Sequence, residues 1–156
     1  MKRLASLALL GTLAACGGRY RAGSAPEPQS PNAALEQFLR AVKAKDTHKL
    51  EQLWGNDNGT VLGRKNFPDS AVEQTVRLFE VYFAHEGYRI VDGPATSALG
   101  PTIVTFHVEL HRANHCIVVV PIDLQHTHRG GWLVLDPHFE AAGNPAKPCT
   151  GPGPGT

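Results

Sequence analysis

The chain of 156 residues lacks the short motifs that would announce most chemistries. No CxxC or HExxH spacing occurs, so neither a paired-thiolate zinc site nor a zincin helix is encoded. The nucleophile elbow GxSxG is missing as well, which removes the usual serine hydrolase arrangement. Charge of one sign is also absent: 15 Lys and Arg stand against 14 Asp and Glu, which is no electrostatic footprint for nucleic acid. No apolar run reaches the ~20 residues that a membrane-crossing helix needs. Cysteine is scarce, with three in all, and that scarcity makes each one informative.

What is present begins at the N-terminus. Lys2 and Arg3 precede an apolar run from Leu4 that ends in the small-residue sequence Leu13-Ala14-Ala15-Cys16. A charged start, a short apolar middle and a small-residue end mark a cleaved export signal, here residues 1–15. Leu13-Ala14-Ala15-Cys16 resembles the lipobox of bacterial lipoproteins. That resemblance implies a signal peptide, acylation of Cys16 by palmitate-class chains, and a membrane-anchored protein of the cell envelope. Two or three chains on one cysteine would hold durably, where a single chain holds only marginally at ~0.8 kcal/mol per methylene. Gly17, where an aspartate would signal retention, implies the outer membrane facing the periplasm ahead of the plasma membrane. Residues 16–30 then read as the lipidated cysteine and a flexible tether, rich in Gly, Pro, Ser and Ala. Loss of the leader removes Lys2 and Arg3 and leaves thirteen basic against fourteen acidic residues, a formal charge of −1.

With Cys16 assigned to lipid, Cys116 and Cys149 remain as a pair in an oxidising compartment, and a disulfide is expected. Closing a loop of about 34 residues stabilises a fold by ~3 to 4 kcal/mol in the chain-entropy view. It would also pin residues 141–156, a Gly/Pro-rich tail, at Cys149.

Residues 31–140 make one domain. Ser30-Pro31 is a helix start, with a capping hydroxyl and then a proline whose missing N–H costs nothing at the first helical position. Leu35, Phe38, Leu39 and Val42 recur at helical spacing, and Asp46 caps a second short helix carrying Leu50, Leu53 and Trp54, stopped by Gly55. Residues 56–68 read as loop. Ser70 and Glu73 have capping-box spacing before a third helix with Val72, Val76, Phe79 and Phe83 on one stripe, ending near Gly87.

From Tyr88 the period becomes two. A short strand over residues 88–91 is expected to stop at Asp92-Gly93-Pro94. Val104, Phe106, Val108 and Leu110 alternate with polar residues, and Cys116, Val118, Val120, Ile122 and Leu124 continue the alternation in the next run, although Ile117 and Val119 make that strand apolar on both sides, as expected near a sheet centre. A turn centred on Ala113-Asn114 would set His111 opposite Cys116. Trp132 to Leu135 forms a fourth strand before Pro137. Helices followed by an antiparallel meander define an α+β fold, two or three N-terminal helices packed on a curved sheet of about four strands.

This order of elements resembles the cone shared by nuclear transport factor 2 and ketosteroid isomerase. The stretch Phe38-Leu39-Arg40-Ala41-Val42-Lys43-Ala44-Lys45-Asp46 with Leu53-Trp54 is similar to the family's opening helix pair, and Gly130-Gly131-Trp132-Leu133-Val134 to its closing strand. The resemblance implies a pocket inside the cone, for which Phe38, Trp54, Tyr82 and Asp123 are the lining candidates. The isomerase's hydrogen-bonding tyrosine would fall on Phe38, which cannot donate, and its aspartate base on Leu62 or Gly63, which cannot take a proton. No catalytic residue is therefore assigned, and the reading leans away from an enzyme. Cone domains also pair through their sheet faces, so a homodimer is compatible with the resemblance.

Eight histidines invite a metal, but His107 and His111 on one strand are about 13 Å apart at ~3.3 Å per residue. No metal ligands and no cofactor are assigned. The functional expectation is a lipid-anchored, non-catalytic module that binds an envelope protein or a small apolar ligand, and no nucleic acid. The alternatives are an isomerase- or hydrolase-type enzyme with an unrecognised cone pocket, or a histidine-rich metal-handling lipoprotein.

Overall fold

A computed structural model describes residues 26–147 apart from 63, 65 and 66. The leader, Cys16, most of the expected tether and Cys149 lie outside the described residues. The architecture is α+β, with three N-terminal helices against a four-stranded antiparallel sheet.

Helix α1 spans Pro31–Ala44 and α2 spans Thr47–Leu53. Their starts follow the chemistry of their first residues: Ser30 Oγ accepts from the Ala33 N–H, and Asp46 Oδ1 from the Lys49 N–H. Between Trp54 and helix α3 (Asp69–Tyr82), residues expected as loop include a two-residue hairpin, β1 (Gly55–Asn56) with β2 (Gly59–Thr60). Gly55 does more than stop a helix. A Cβ there would sit 2.4 Å from the Gly59 carbonyl oxygen and 2.6 Å from Leu133 Cδ1, so only glycine lets the hairpin lie against the sheet. Helix α3 starts at Asp69 after an extended Pro68, which places Ser70 inside the first turn, where it does not act as the cap. The expected capping box therefore does not form. The helix also ends earlier than expected, because Glu86 N–H already donates to the His111 carbonyl as the sheet begins.

The sheet order is β3 (Gly87–Thr96), β4 (Ile103–His111), β5 (Ile117–His126) and β6 (Trp132–Asp136). β3 runs through Asp92-Gly93-Pro94, where the sequence suggested a stop. Irregularities between Ile90 and Asp92 and between Asp92 and Ala95 absorb the turn-forming residues as bulges. Gly93 makes this feasible with φ +111°, at a place where a Cβ would meet the Thr105 carbonyl oxygen at 2.7 Å. The β4–β5 pairing sets His111 opposite Ile117, one residue from the expected register. The turn is centred on Asn114, whose Oδ1 accepts from the Cys116 N–H, and His115 closes it at φ 63°.

Val120, Ile122 and Leu124 face the helices with Phe106, Val108 and Leu110, all fully buried. Phe38, Phe79 and Phe83 fill the space between helices and sheet through mutual edge contacts at 5.6–6.3 Å between ring centres. After β6 the chain forms a one-turn helix α4 (Phe139–Ala142), unanticipated in the sequence, and Phe139 adds a stacked ring to Phe79 at 5.4 Å. The last residues of the expected tether are docked: Trp132 N–H donates to the Pro28 carbonyl, and Thr127 Oγ1 to the Glu27 carboxylate at 2.5 Å.

Candidate functional site

The site is built where α3 meets α4. Leu78 and Tyr82 are one helical turn apart and therefore share a flank of α3, beside the stripe formed by Val72, Val76 and Phe79. Phe139 crosses Tyr82 edge to face at 5.4 Å, so its ring seals the core on one side and walls an open cleft on the other. With Glu140, Gly143 and Asn144 these residues line a cleft of about 420 Å³. That volume lies within the ~300–1,000 Å³ range of small-molecule sites. Leu78 is 42% exposed there, an apolar side chain left at the rim.

Behind the cleft stands a charged network. Asp123, 2% exposed, points away from Ile122 and Leu124 because β5 alternates regularly against β4. The extra residue of the irregular β5–β6 pairing is Leu135 in β6, and it leaves Asp123 opposite Asp136. Thr105 Oγ1 donates to Asp123 Oδ1 at 2.5 Å, and His138 Nε2 lies 3.0 Å from Asp123 Oδ2. The other ring nitrogen of His138, Nδ1, is 3.0 Å from Glu140 Oε1. His138 adopts φ 42°, a left-handed conformation that costs a non-glycine residue strain and that here aims the ring between the two carboxylates.

Burial disfavours the charged ring of His138, but hydrogen bonds to Asp123 and Glu140 and the charges of Asp136 and Asp123 outweigh it, and its pKa is raised. The Glu140 carboxyl is held below the usual range by its own backbone N–H and by His138. Each ring nitrogen lies 3.0 Å from a carboxylate oxygen, so the ring clasps Asp123 and Glu140 together. Its stabilisation is complete below the unfolded value of 6.5 and is lost as pH rises through the higher folded value. Urea midpoints of the native protein should therefore fall relative to those of His138→Gln as pH rises above about 6.5. A difference that stays constant above that pH would remove the clasp.

The four lining candidates do not converge. Phe38 is fully enclosed in the aromatic core, and Trp54 is half-buried against Phe67 and Phe79. Tyr82 lines the cleft, and Asp123 reaches its edge only through His138 and Glu140. Leu78, Phe139 and Glu140 escaped sequence reading. Their signals were slight: an apolar residue off the helical stripe, and one aromatic after Pro137 at the start of a small-residue stretch.

Cys116 is disulfide-bonded, with its partner outside the described residues. The histidines are scattered: His111 binds Glu109 at 2.7 Å, His126 packs on Trp132, and His128 lies 3.5 Å from Asp57. Among the described residues no group of three His, Cys, Asp or Glu side chains is placed to hold a metal ion. No helix among them is long and apolar enough to cross a membrane. No family model, no curated protein and no solved structure matches the chain.

Proposed function

We propose that this protein is a lipid-anchored envelope lipoprotein that binds, without chemistry, a small apolar molecule in the cleft between α3 and α4. The observation that carries the reading is the cleft itself: apolar walls from Leu78, Tyr82 and Phe139, with the Glu140 carboxylate at the edge. Such a site favours an apolar body bearing one cationic or hydrogen-bond-donating group. The filled interior supports the same reading, since Phe38, Phe79 and Phe83 pack between helices and sheet and are fully buried.

The anchor is Cys16, on the outer membrane facing the periplasm, and the chain pairs Cys116 with Cys149. Docking of Glu27 and Pro28 leaves only eleven residues from Cys16 to the domain, a reach of at most about 39 Å at roughly 3.5 Å per residue. The domain thus works close to the lipid that would supply an apolar ligand.

The test uses Leu78→Glu, a change at a 42% exposed position that leaves the core intact. Full-length protein in mild detergent is titrated with a fluorescent long-chain alcohol, a neutral probe that the added carboxylate cannot attract by charge. The variant should bind at least about tenfold more weakly, because a charge replaces an apolar wall. Equal affinities would exclude the cleft.

A further inference from the structure

A second cleft of about 300 Å³ opens between the loop that leaves α3 and the β4–β5 turn, with Pro145 at its side. Two buried polar side chains line it, His85 and Arg112, each 8% exposed. Arg112 uses Nη2 to hold two backbone carbonyls, Tyr82 at 2.8 Å and Ala142 at 2.7 Å. It makes no ion pair with a carboxylate among the described residues, and its Nε–H is buried without a hydrogen-bond partner. A guanidinium taken out of water with neither counter-ion nor full hydrogen bonding is an unfavourable arrangement unless something completes it.

His85 supplies the complement. Its Nδ1 lies 2.8 Å from the Phe83 carbonyl, which can only accept, so Nδ1 carries the proton. Burial, and then the charge of Lys43, hold the ring below its ordinary pKa against the pull of that carbonyl. In the neutral ring Nε2 is an acceptor, and it too is buried and unpartnered. Lys43 Nζ donates to the Glu86 backbone carbonyl, which sets a second positive charge beside the exposed Glu86 side chain on the rim of the cleft. The cleft therefore pairs an unmatched cationic donor with an unmatched neutral acceptor.

We infer that this cleft binds an oxyanion carrying a hydroxyl beside its charge, the charged oxygen taking the Arg112 Nε–H and the hydroxyl donating to His85 Nε2. Hydrogen phosphate, a phosphomonoester monoanion and a 2-hydroxycarboxylate share that pattern. A simple carboxylate does not, because it brings no proton for His85. Both nitrogens lie beneath the surface, at a cleft whose rim carries the exposed turn residues Ala113 and Asn114.

The experiment follows the Arg112 Nε–H and the His85 ring by NMR in full-length protein in mild detergent. Sodium phosphate, glycolate and acetate are each exchanged for chloride at constant ionic strength. Phosphate or glycolate should shift the Arg112 resonance saturably, with acetate at least about tenfold weaker, as a site built around a hydroxyl rejects an analogue without one. A response to phosphate assigns the phosphate class, and a response to glycolate the hydroxy acids. Ala113→Glu, at an exposed position on the rim, should weaken binding about tenfold or more by like-charge repulsion, while Ala113→Gln retains it. His85→Phe should erase the preference over acetate. No saturable shift with either oxyanion, acetate binding as well as both, or full binding by Ala113→Glu would each overturn the inference. None of these outcomes bears on the α3–α4 cleft, which has its own probe and its own variant.

Discussion

Replacing Phe79 with alanine is expected to destabilise the domain by about 3–5 kcal/mol, the range for deleting a fully buried aromatic side chain. Phe79 is the hub of the ring cluster: it meets Phe38 at 5.6 Å, Trp54 and Phe139 at 5.4 Å each, and Phe83 at 6.3 Å. Those neighbours belong to α1, the end of α2, α3 and α4, so a void at this point loosens every helix at once. The surrounding rings are rigid and cannot collapse into the space cheaply. Urea unfolding measures the effect, and a loss below about 1 kcal/mol would show that the rings do not form one packed unit. The α3–α4 cleft should suffer in the same variant, since Phe139 loses the ring it stacks on.

The second large effect concerns location. Cys16→Ser should convert a protein that sediments with membranes into one recovered in the soluble envelope fraction. Two or three acyl chains bind a bilayer durably, whereas the 122 residues from Pro26 to Lys147 hold no membrane-crossing helix among those described. If the serine variant still pellets after a salt wash, the anchor lies elsewhere and the role assigned to Cys16 falls. The docking of Glu27 adds a finer expectation within this picture: the domain sits near the bilayer because Thr127 Oγ1 and the Trp132 N–H hold the chain that leads to the anchor.

Much of the fold was legible because local chemistry and tertiary packing agree. Ser30-Pro31 and Asp46 cap the helices they were expected to cap, and the inward residues of α1 and α3 are the ones at helical spacing. The β4–β5 register was expected one residue off, although the strand pattern itself carried the right one. Phe106, Val108 and Leu110 share a face with Val118, Val120 and Ile122 only if even positions pair with even ones. Placing the turn on Ala113-Asn114 breaks that rule, and the structure restores it by centring the turn on Asn114.

The misses have a different origin. Asp92-Gly93-Pro94 has turn chemistry, but a long sheet edge can absorb it as bulges, and only the partner strand decides. Phe139 is one aromatic at the start of a small-residue stretch, and its value comes from Phe79 and Tyr82 sixty and fifty-seven residues earlier. His138 and Asp123 are joined by the extra residue in β6, which no periodicity announces. Arg112 reads as a turn residue in sequence, and only the folded chain reveals a buried guanidinium between two carbonyls. Functional geometry of this kind depends on contacts between distant segments, whereas helices and strands depend on neighbours.

The most direct test of the whole account is native mass spectrometry of the protein extracted from its own membranes in mild detergent. The account predicts a chain that begins at Cys16, carries two or three acyl chains, and holds one small-molecule adduct that Leu78→Glu lacks. A chain that keeps its first fifteen residues unacylated, or an acylated one whose adduct survives Leu78→Glu, would contradict it.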